Sequence, residues 1–240
     1  MQKVALITGA NKGIGLETAR QLARDHGFTV LIGARDAERG EAASAELMAA
    51  GLDAQFVQLV VTDAASIEAA RAHVEEKFAR LDVLINNAGI VKDTGAPSST
   101  SLDVLRETYE TNVFAPVAVI KAFLPLLRKS DAPHIVNMSS GLGSLTQHSD
   151  PSWEFYNVKP LAYDSSKTAL NAVTVHFAYE LRDTPIKINS ADPGYTATDL
   201  NGHSGPRSVE QGAKIAVALA NLPNDGPTGG FFDENGPVNW

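Results

Sequence analysis

The chain of 240 residues contains no cysteine, which excludes disulfides, thiolate nucleophiles and cysteine-ligated metals together. It is short of positive charge. Twenty Lys and Arg stand against 28 Asp and Glu, a net of −8, so nucleic acid is not an expected partner, because non-specific binding depends on neutralising phosphates. Long apolar runs are missing too. The longest, Val113 to Ile120, contains Pro116 and stops at Lys121, well short of the roughly 20 residues needed to cross a bilayer. No membrane helix is expected. Neither a low-complexity tract nor a repeat interrupts the chain, and the N-terminal Met1-Gln2-Lys3-Val4 enters an apolar run at once. That start leaves no room for a secretory leader, so the expectation is a cytoplasmic protein. Histidine gives no metal pattern: among His148, His176 and His203 no pair has zinc-like spacing with a third ligand.

What is present is an alternation. Short apolar, β-branched runs at Val4–Ile7, Phe28–Ile32, Phe56–Val60, Val83–Ile85, His134–Met138, Ile186–Ile188 and Gly230–Phe232 are separated by stretches of helical period. The helical stretches cover about 14–25, 36–50, 67–78, 102–127, 163–181 and 209–220. Strands apolar on both faces and separated by helices predict a parallel sheet covered on both sides. The expected fold is a single-domain, doubly wound (Rossmann-type) α/β sheet spanning residues 1–240. Two segments break the rhythm: Gly141 to Pro160, with Trp153, Phe155 and Tyr156, and Gly194 to Ser208, with Gly202, Gly205 and Pro206. Both leave the carboxyl ends of strands, where open parallel sheets bind ligands, and are expected to wall or cover one site.

The first strand runs into Thr8-Gly9-Ala10-Asn11-Lys12-Gly13-Ile14-Gly15 and then a helix. Glycines there permit a tight turn and bring backbone N–H groups to a pyrophosphate at the helix N-terminus. The second strand ends Ala34-Arg35-Asp36, with Arg39 one turn on. Ala34 stands where an NAD site carries its acidic residue, and Lys12, Arg35 and Arg39 together favour a ribose 2′-phosphate. Asp36 is read as the cap of the following helix. Further along come Asn86-Asn87-Ala88-Gly89, Asn112, Ser139-Ser140, Tyr163-Asp164-Ser165-Ser166-Lys167 and Pro193-Gly194, nearly all on one edge of the sheet. Tyr163 and Lys167 are four apart and share a helical face. An adjacent ammonium is expected to lower the phenol's pKa from near 10, giving a usable general acid/base.

The combination T-G-x-x-x-G-x-G, N-N-A-G, S…Y-x-x-x-K and P-G, in this order over essentially the whole chain, resembles the short-chain dehydrogenase/reductase family. The Asn11-Lys12 loop and the Gly33-Ala34-Arg35-Asp36…Arg39-Gly40 segment most resemble NADPH-dependent carbonyl reductases. The resemblance implies NADP(H) as cofactor and a small carbonyl compound as substrate, an aldehyde or ketone reduced to an alcohol. It implies Tyr163 as proton donor, Lys167 as the group that tunes it and holds the nicotinamide ribose, and Ser140 as the hydrogen bond to the substrate oxygen. Asn112 would hold a relay water reaching Lys167. Gly9, Asn11, Lys12, Gly13, Ile14, Gly15, Arg35, Arg39, Asn87, Ala88, Gly89, Pro193, Gly194 and Thr198, with Tyr163 and Lys167, would contact the cofactor. Leu142, Trp153, Phe155, Tyr195 and Leu200 are the expected substrate walls, pointing to a mainly apolar substrate.

Two features depart from the family. Val60 occupies a third-strand position that often holds an aspartate, with Asp63 discounted as its substitute. Ser140 and Tyr163 lie 23 positions apart, farther than in compact members. In carbonyl reductases a longer insert at this place covers a dimer face, so a monomer is the expected state, with a homo-oligomer as the alternative. Two other readings stay open: a 3-oxoacyl or steroid reductase, and a non-catalytic NADP-binding regulator. Sugar-nucleotide epimerisation belongs to longer chains with a separate C-terminal substrate region.

Overall fold

A computed structural model describes residues 2–240; Met1, where the N-terminal reading begins, lies outside them. The elements run β1 (Val4–Thr8), α1 (Gly13–His26), β2 (Thr29–Ala34), α2 (Ala37–Ala49), β3 (Ala54–Gln58), α3 (Ala64–Phe78), β4 (Val83–Asn86) and α4 (Leu102–Tyr109). They continue with α5 (Ala115–Leu127), β5 (His134–Met138), α6 (Leu145–His148), α7 (Leu161–Glu180), β6 (Lys187–Ala191), α8 (Val209–Ala220), β7 (Phe231–Asp233) and β8 (Gly236–Pro237). All eight strands form one sheet in the order β3-β2-β1-β4-β5-β6-β7-β8, parallel throughout except for the last pair.

Both faces of the central strands are apolar because both are buried. Ala5, Ile7, Val30, Ile32, Val83, Ile85 and Val136 point to the side covered by α1 and α8, where they meet Leu22, Ala216 and Leu219. Val4, Leu6, Leu31, Leu84, Ile135 and Ile188 point the other way, to Val74, Ile120, Phe123 and Leu127 of α3 and α5. The period of two along each strand therefore divides one run of apolar residues between two cores. The chain winds from β1 outward to β3, then crosses back to β4, so the switch of direction falls between β1 and β4. Ligands bind beyond the carboxyl edge at such a point.

Side chains end and begin the helices as their chemistry requires. Asp36 caps α2 by accepting from Arg39 N at 3.1 Å, and Asp63 accepts from Ala65 N at 2.9 Å at the start of α3. Ser208 and Gln211 form a reciprocal capping box on α8. Gly27 closes α1 in the left-handed conformation, with φ +66°.

Three expectations are corrected. The third strand lies two residues earlier than the apolar run suggests: Leu59 N still donates to Ala34 O at 2.9 Å, but Val60 has turned off the ladder and its N–H donates to Ser66 Oγ at 2.9 Å. The helix expected across 102–127 is one helical stretch, but its middle, Glu110–Phe114, is a π turn. By length and composition that 26-residue stretch is apolar enough to cross a membrane; here it is a core helix, with Val119, Ile120, Phe123, Leu126 and Leu127 fully buried. The antiparallel β8, a two-residue strand, carries no sequence signal of its own.

Candidate active site

The turn after β1 builds a cradle from backbone. Gly9 and Gly13 have φ +64° and +58°, a region that side chains disfavour. A Cβ on Gly15 would stand 2.4 Å from Asn87 Nδ2, and one on Gly9 would stand 3.0 Å from Ala88 Cα. Asn87 Nδ2 donates to the carbonyls of Thr8 and Gly9 at 2.9 and 3.2 Å, while Thr8 Oγ1 accepts from the N–H groups of Asn87 and Ala88. The N-N-A-G segment thus clamps the glycine turn in shape. Helix α1 has no side-chain cap and no acidic residue in its first turn, so its positive end faces the cleft unanswered. A Cβ on Gly13 would meet only Thr198 Cγ2, at 3.8 Å. These features fit a dinucleotide pyrophosphate.

The cleft is a cavity of about 940 Å³, within the size range of small-molecule sites. Gly9, Asn11, Lys12, Gly13, Ile14 and Gly15 line one end, Arg35 and Val60 one side, and Tyr163 and Lys167 the far end. Asn87, Ala88, Gly89, Pro193 and Thr198 line it between. The three cations do not converge. Arg39 is not in the lining and lies 3.7 Å from Asp36, at the surface. Lys12 reaches across the cleft to Asp199, Nζ to Oδ2 2.5 Å, and Asp199 also holds His203 Nε2 at 2.8 Å. Arg35 lines the cavity without an ion pair among the described residues.

At the far end, helix α7 presents Tyr163 and Lys167, both buried, with Lys167 Nζ 5.5 Å from the phenol ring centroid. Nζ donates to the Met138 carbonyl at 2.7 Å. Burial lowers the Lys167 pKa to about 8. The Tyr163 phenol moves opposite to expectation: burial raises it above its ordinary value, the nearby Asp192 and Asp164 add to that, and a hydrogen bond with Ser140 only partly offsets it. The phenol is therefore held protonated. Ser140 Oγ also accepts from Leu142 N at 3.2 Å, which fixes its position. A Cβ on Gly89 would lie 3.5 Å from both Asn112 Oδ1 and Lys167 Nζ, so the two groups face one point.

The family model described as short chain dehydrogenase matches residues 3–208. The chain belongs to the short-chain dehydrogenase/reductase family. It is 37% identical over 228 residues to the short-chain dehydrogenase anuI of Penicillium roqueforti, covering 90% of this chain and 88% of that one. To carbonyl reductase 1 (NADPH) of Bos taurus it is 33% identical over 275 residues, covering 99% and 98%. The solved structure of NADPH-bound carbonyl reductase from chicken fatty liver superimposes with TM-score 0.88 at 31% identity, covering 100% of this chain and 99% of that one.

As a short-chain dehydrogenase/reductase, the chain shows some expected residues in unexpected roles. Asn112 sits in the π turn, a distortion common at functional sites. Its amide nitrogen donates to Ile90 O at 2.9 Å and Ser166 Oγ at 3.0 Å, and its oxygen accepts from Ile90 N at 2.9 Å. Both side-chain hydrogens are used, so Asn112 clamps Ile90 on the cavity wall, and a relay water has only Oδ1 to meet. Among the expected substrate walls, Leu200 alone lines the large cavity. Trp153, Phe155 and Tyr195 instead form an edge-to-face series with centroids 5.5 and 5.8 Å apart. Trp153 begins it beside Gly141, the residue after Ser140. Asp93 was not foreseen. Helix α7 starts at Pro160 without a local cap, and the buried Asp93 supplies one from the loop after β4, accepting from Ala162 N at 2.7 Å and Tyr163 N at 3.3 Å. No local spacing could reveal a cap 69 residues away.

Proposed function

We propose that this enzyme reduces an apolar ketone or aldehyde to the alcohol with NADPH, using Tyr163 as the proton donor. The observation that carries this reading is the buried Tyr163 phenol beside Lys167 and within reach of Ser140, at one end of a cleft whose other end is an uncapped helix N-terminus. NADPH supplies the hydride when bound. Asn11, Gly13, Ile14 and Gly15 would hold its pyrophosphate through α1, Arg35 its 2′-phosphate, and Pro193, Gly194 and Thr198 the nicotinamide side. NADPH-dependent carbonyl reductases among the relatives support the same choice.

The chain's own part is orientation and the proton. Ser140 donates a hydrogen bond to the substrate oxygen and Tyr163 Oη aims its hydrogen at the same atom. As the carbonyl carbon gains its hydrogen, negative charge gathers on that oxygen and the phenol proton moves to it. The Lys167 ammonium stabilises the phenolate left behind. A phenol held above its ordinary pKa is in the form that reduction requires at neutral pH. The aromatic series by Ser140 gives an apolar face for the substituents of the carbonyl. Tyr163→Phe should lower kcat for reduction by about 10²–10⁴-fold while NADPH still binds. The test is NADPH consumption over a panel of aldehydes and ketones; equal turnover by the variant would remove Tyr163 from the role.

A further inference from the structure

Asp192 follows β6 directly and has no part in the scheme above. Its neighbours make it unusual. The ladder between β5 and β6 runs to the pair Met138 and Ala191, and a last backbone bond joins Ser139 N to Ala191 O at 2.8 Å. Beyond that point the two chains separate, one toward Ser140 and Gly141, the other toward Pro193 and Gly194. The Asp192 carboxylate continues the connection with a side chain. Oδ1 accepts from Gly194 N at 2.9 Å. On the other side Oδ2 packs against Gly141, where a Cβ would stand 2.9 Å from it, and the Gly141 backbone is among the groups that favour the carboxylate.

The site is closed from outside as well. The Arg207 side chain lies over Gly194, where a Cβ would stand 2.8 Å from its Cδ, and Arg207 is itself paired with Glu234. Burial raises the Asp192 pKa, with the nearby Asp233 adding to it, and the Gly194 and Gly141 backbone and Arg207 only partly offset this. A carboxyl group held by the Gly194 amide and seated against Gly141 is a connector, since glycine is the residue that lets an oxygen approach the backbone this closely.

We propose that Asp192 is a positioning residue: by tying Gly141 to Gly194 it fixes the Ser140 hydroxyl relative to the loop that flanks the nicotinamide. The inference rests on the reductase reading for its consequence in turnover, but not for the tie itself. If it holds, Asp192 acts through Ser140 and adds little where Ser140 is absent.

Asp192→Asn keeps one oxygen for Gly194 but offers an NH₂ group to the Gly141 N–H. The expected result is a fall in kcat of up to about tenfold, the effect of losing one hydrogen bond, with the NADPH Kd changed less than about threefold. In a Ser140→Ala background the same change should cost less than about twofold, because interacting positions are not additive. In the cofactor-free protein, hydrogen exchange at the Gly141 and Gly194 amides should quicken at least about tenfold, while the β5 amides of Val136 and Asn137 keep their protection. Additive losses in the double variant, or unchanged exchange at the two glycines, overturn the proposal. Should Asp192→Asn fail to fold, Gly141→Ala presses on Oδ2 from the other side in the native background; a full kcat there overturns it too. If no carbonyl compound is turned over, the reductase reading falls and the exchange measurement alone decides the tie.

Discussion

The two ends of the cleft are made by different means. Around α1 the walls are backbone: positive-φ glycines, bare helix amides, and an Asn87 side chain spent on holding carbonyls in place. Around α7 the walls are the side chains of Tyr163 and Lys167, set in place by contacts from elsewhere in the chain, such as Asp93 on the helix start and the Met138 carbonyl on Lys167. Backbone can hold one ligand shape well and cannot be retuned by substitution. Side chains on loops can be exchanged one at a time, which is how specificity varies on a fixed scaffold. The cofactor end should therefore tolerate few changes, and the substrate end should respond to change selectively.

The largest effect expected within that contrast is at Arg35, which lines the cavity and has no ion pair among the described residues. Arg35→Ala should lower the preference for NADPH over NADH by tenfold or more, as each lost bond to the phosphate is worth about 1.5–3 kcal/mol; the ratio of kcat/KM values with the two cofactors measures it. Next is Gly15→Ala, which drives a Cβ to 2.4 Å from Asn87 Nδ2. Overpacking of about 1–3 kcal/mol should appear as weaker NADPH binding by titration, with the ranking of substrates unchanged. Trp153→Ala should do the reverse. It removes an edge-to-face partner worth about 0.5–1.5 kcal/mol, so kcat/KM for bulky aryl ketones falls several-fold, and small aldehydes and the NADPH Kd stay near native.

The smallest effect is a gain. Asp164 is mostly buried, its Oδ1 has no hydrogen-bond partner, and burial with the neighbouring Asp93 raises its pKa to about 7. As pH rises from about 4 to 7 the unfolded chain loses this proton while the folded chain keeps it, so stability falls across that window and stays low above it. Asp164→Asn should raise Tm by about 2–4 °C at pH 8, the equivalent of roughly 1 kcal/mol in a chain of this size. At pH 3.5, where both states hold the proton, Tm should not change. A loss at pH 8 would show that the substrate end has no slack to give.

The same division governs what could be read in advance. The glycine turn, the N-N-A-G clamp and the Tyr163–Lys167 pair are local patterns, and the structure brings them to one cavity. Helix α8 and strand β5 also lie where their periodicity puts them. The π turn at Asn112 was not legible, because an inserted backbone residue leaves the apolar period of α4 and α5 nearly intact. Arg39 lies outside the cavity lining, since the neighbouring Asp36, read as a cap, also attracts its guanidinium. Asp93 and the Lys12–Asp199 bridge are contacts between distant parts of the chain, and no spacing within one segment encodes them.

The Lys12–Asp199 bridge joins positions 187 residues apart, and the strands between them are parallel, so nothing in the cleft is closed by a nearby hairpin. Contacts this distant make folding slow, since loop entropy is spent before the contacts form. Helices can form early, but each end of the cleft waits for strands that are synthesised far apart. During refolding from denaturant, the return of turnover should lag the return of helical signal, and its time course should mark the closing of the β1–β4 and β5–β6 pairs. The enzyme thus carries a clock for its own assembly: activity dates the moment the whole sheet is complete.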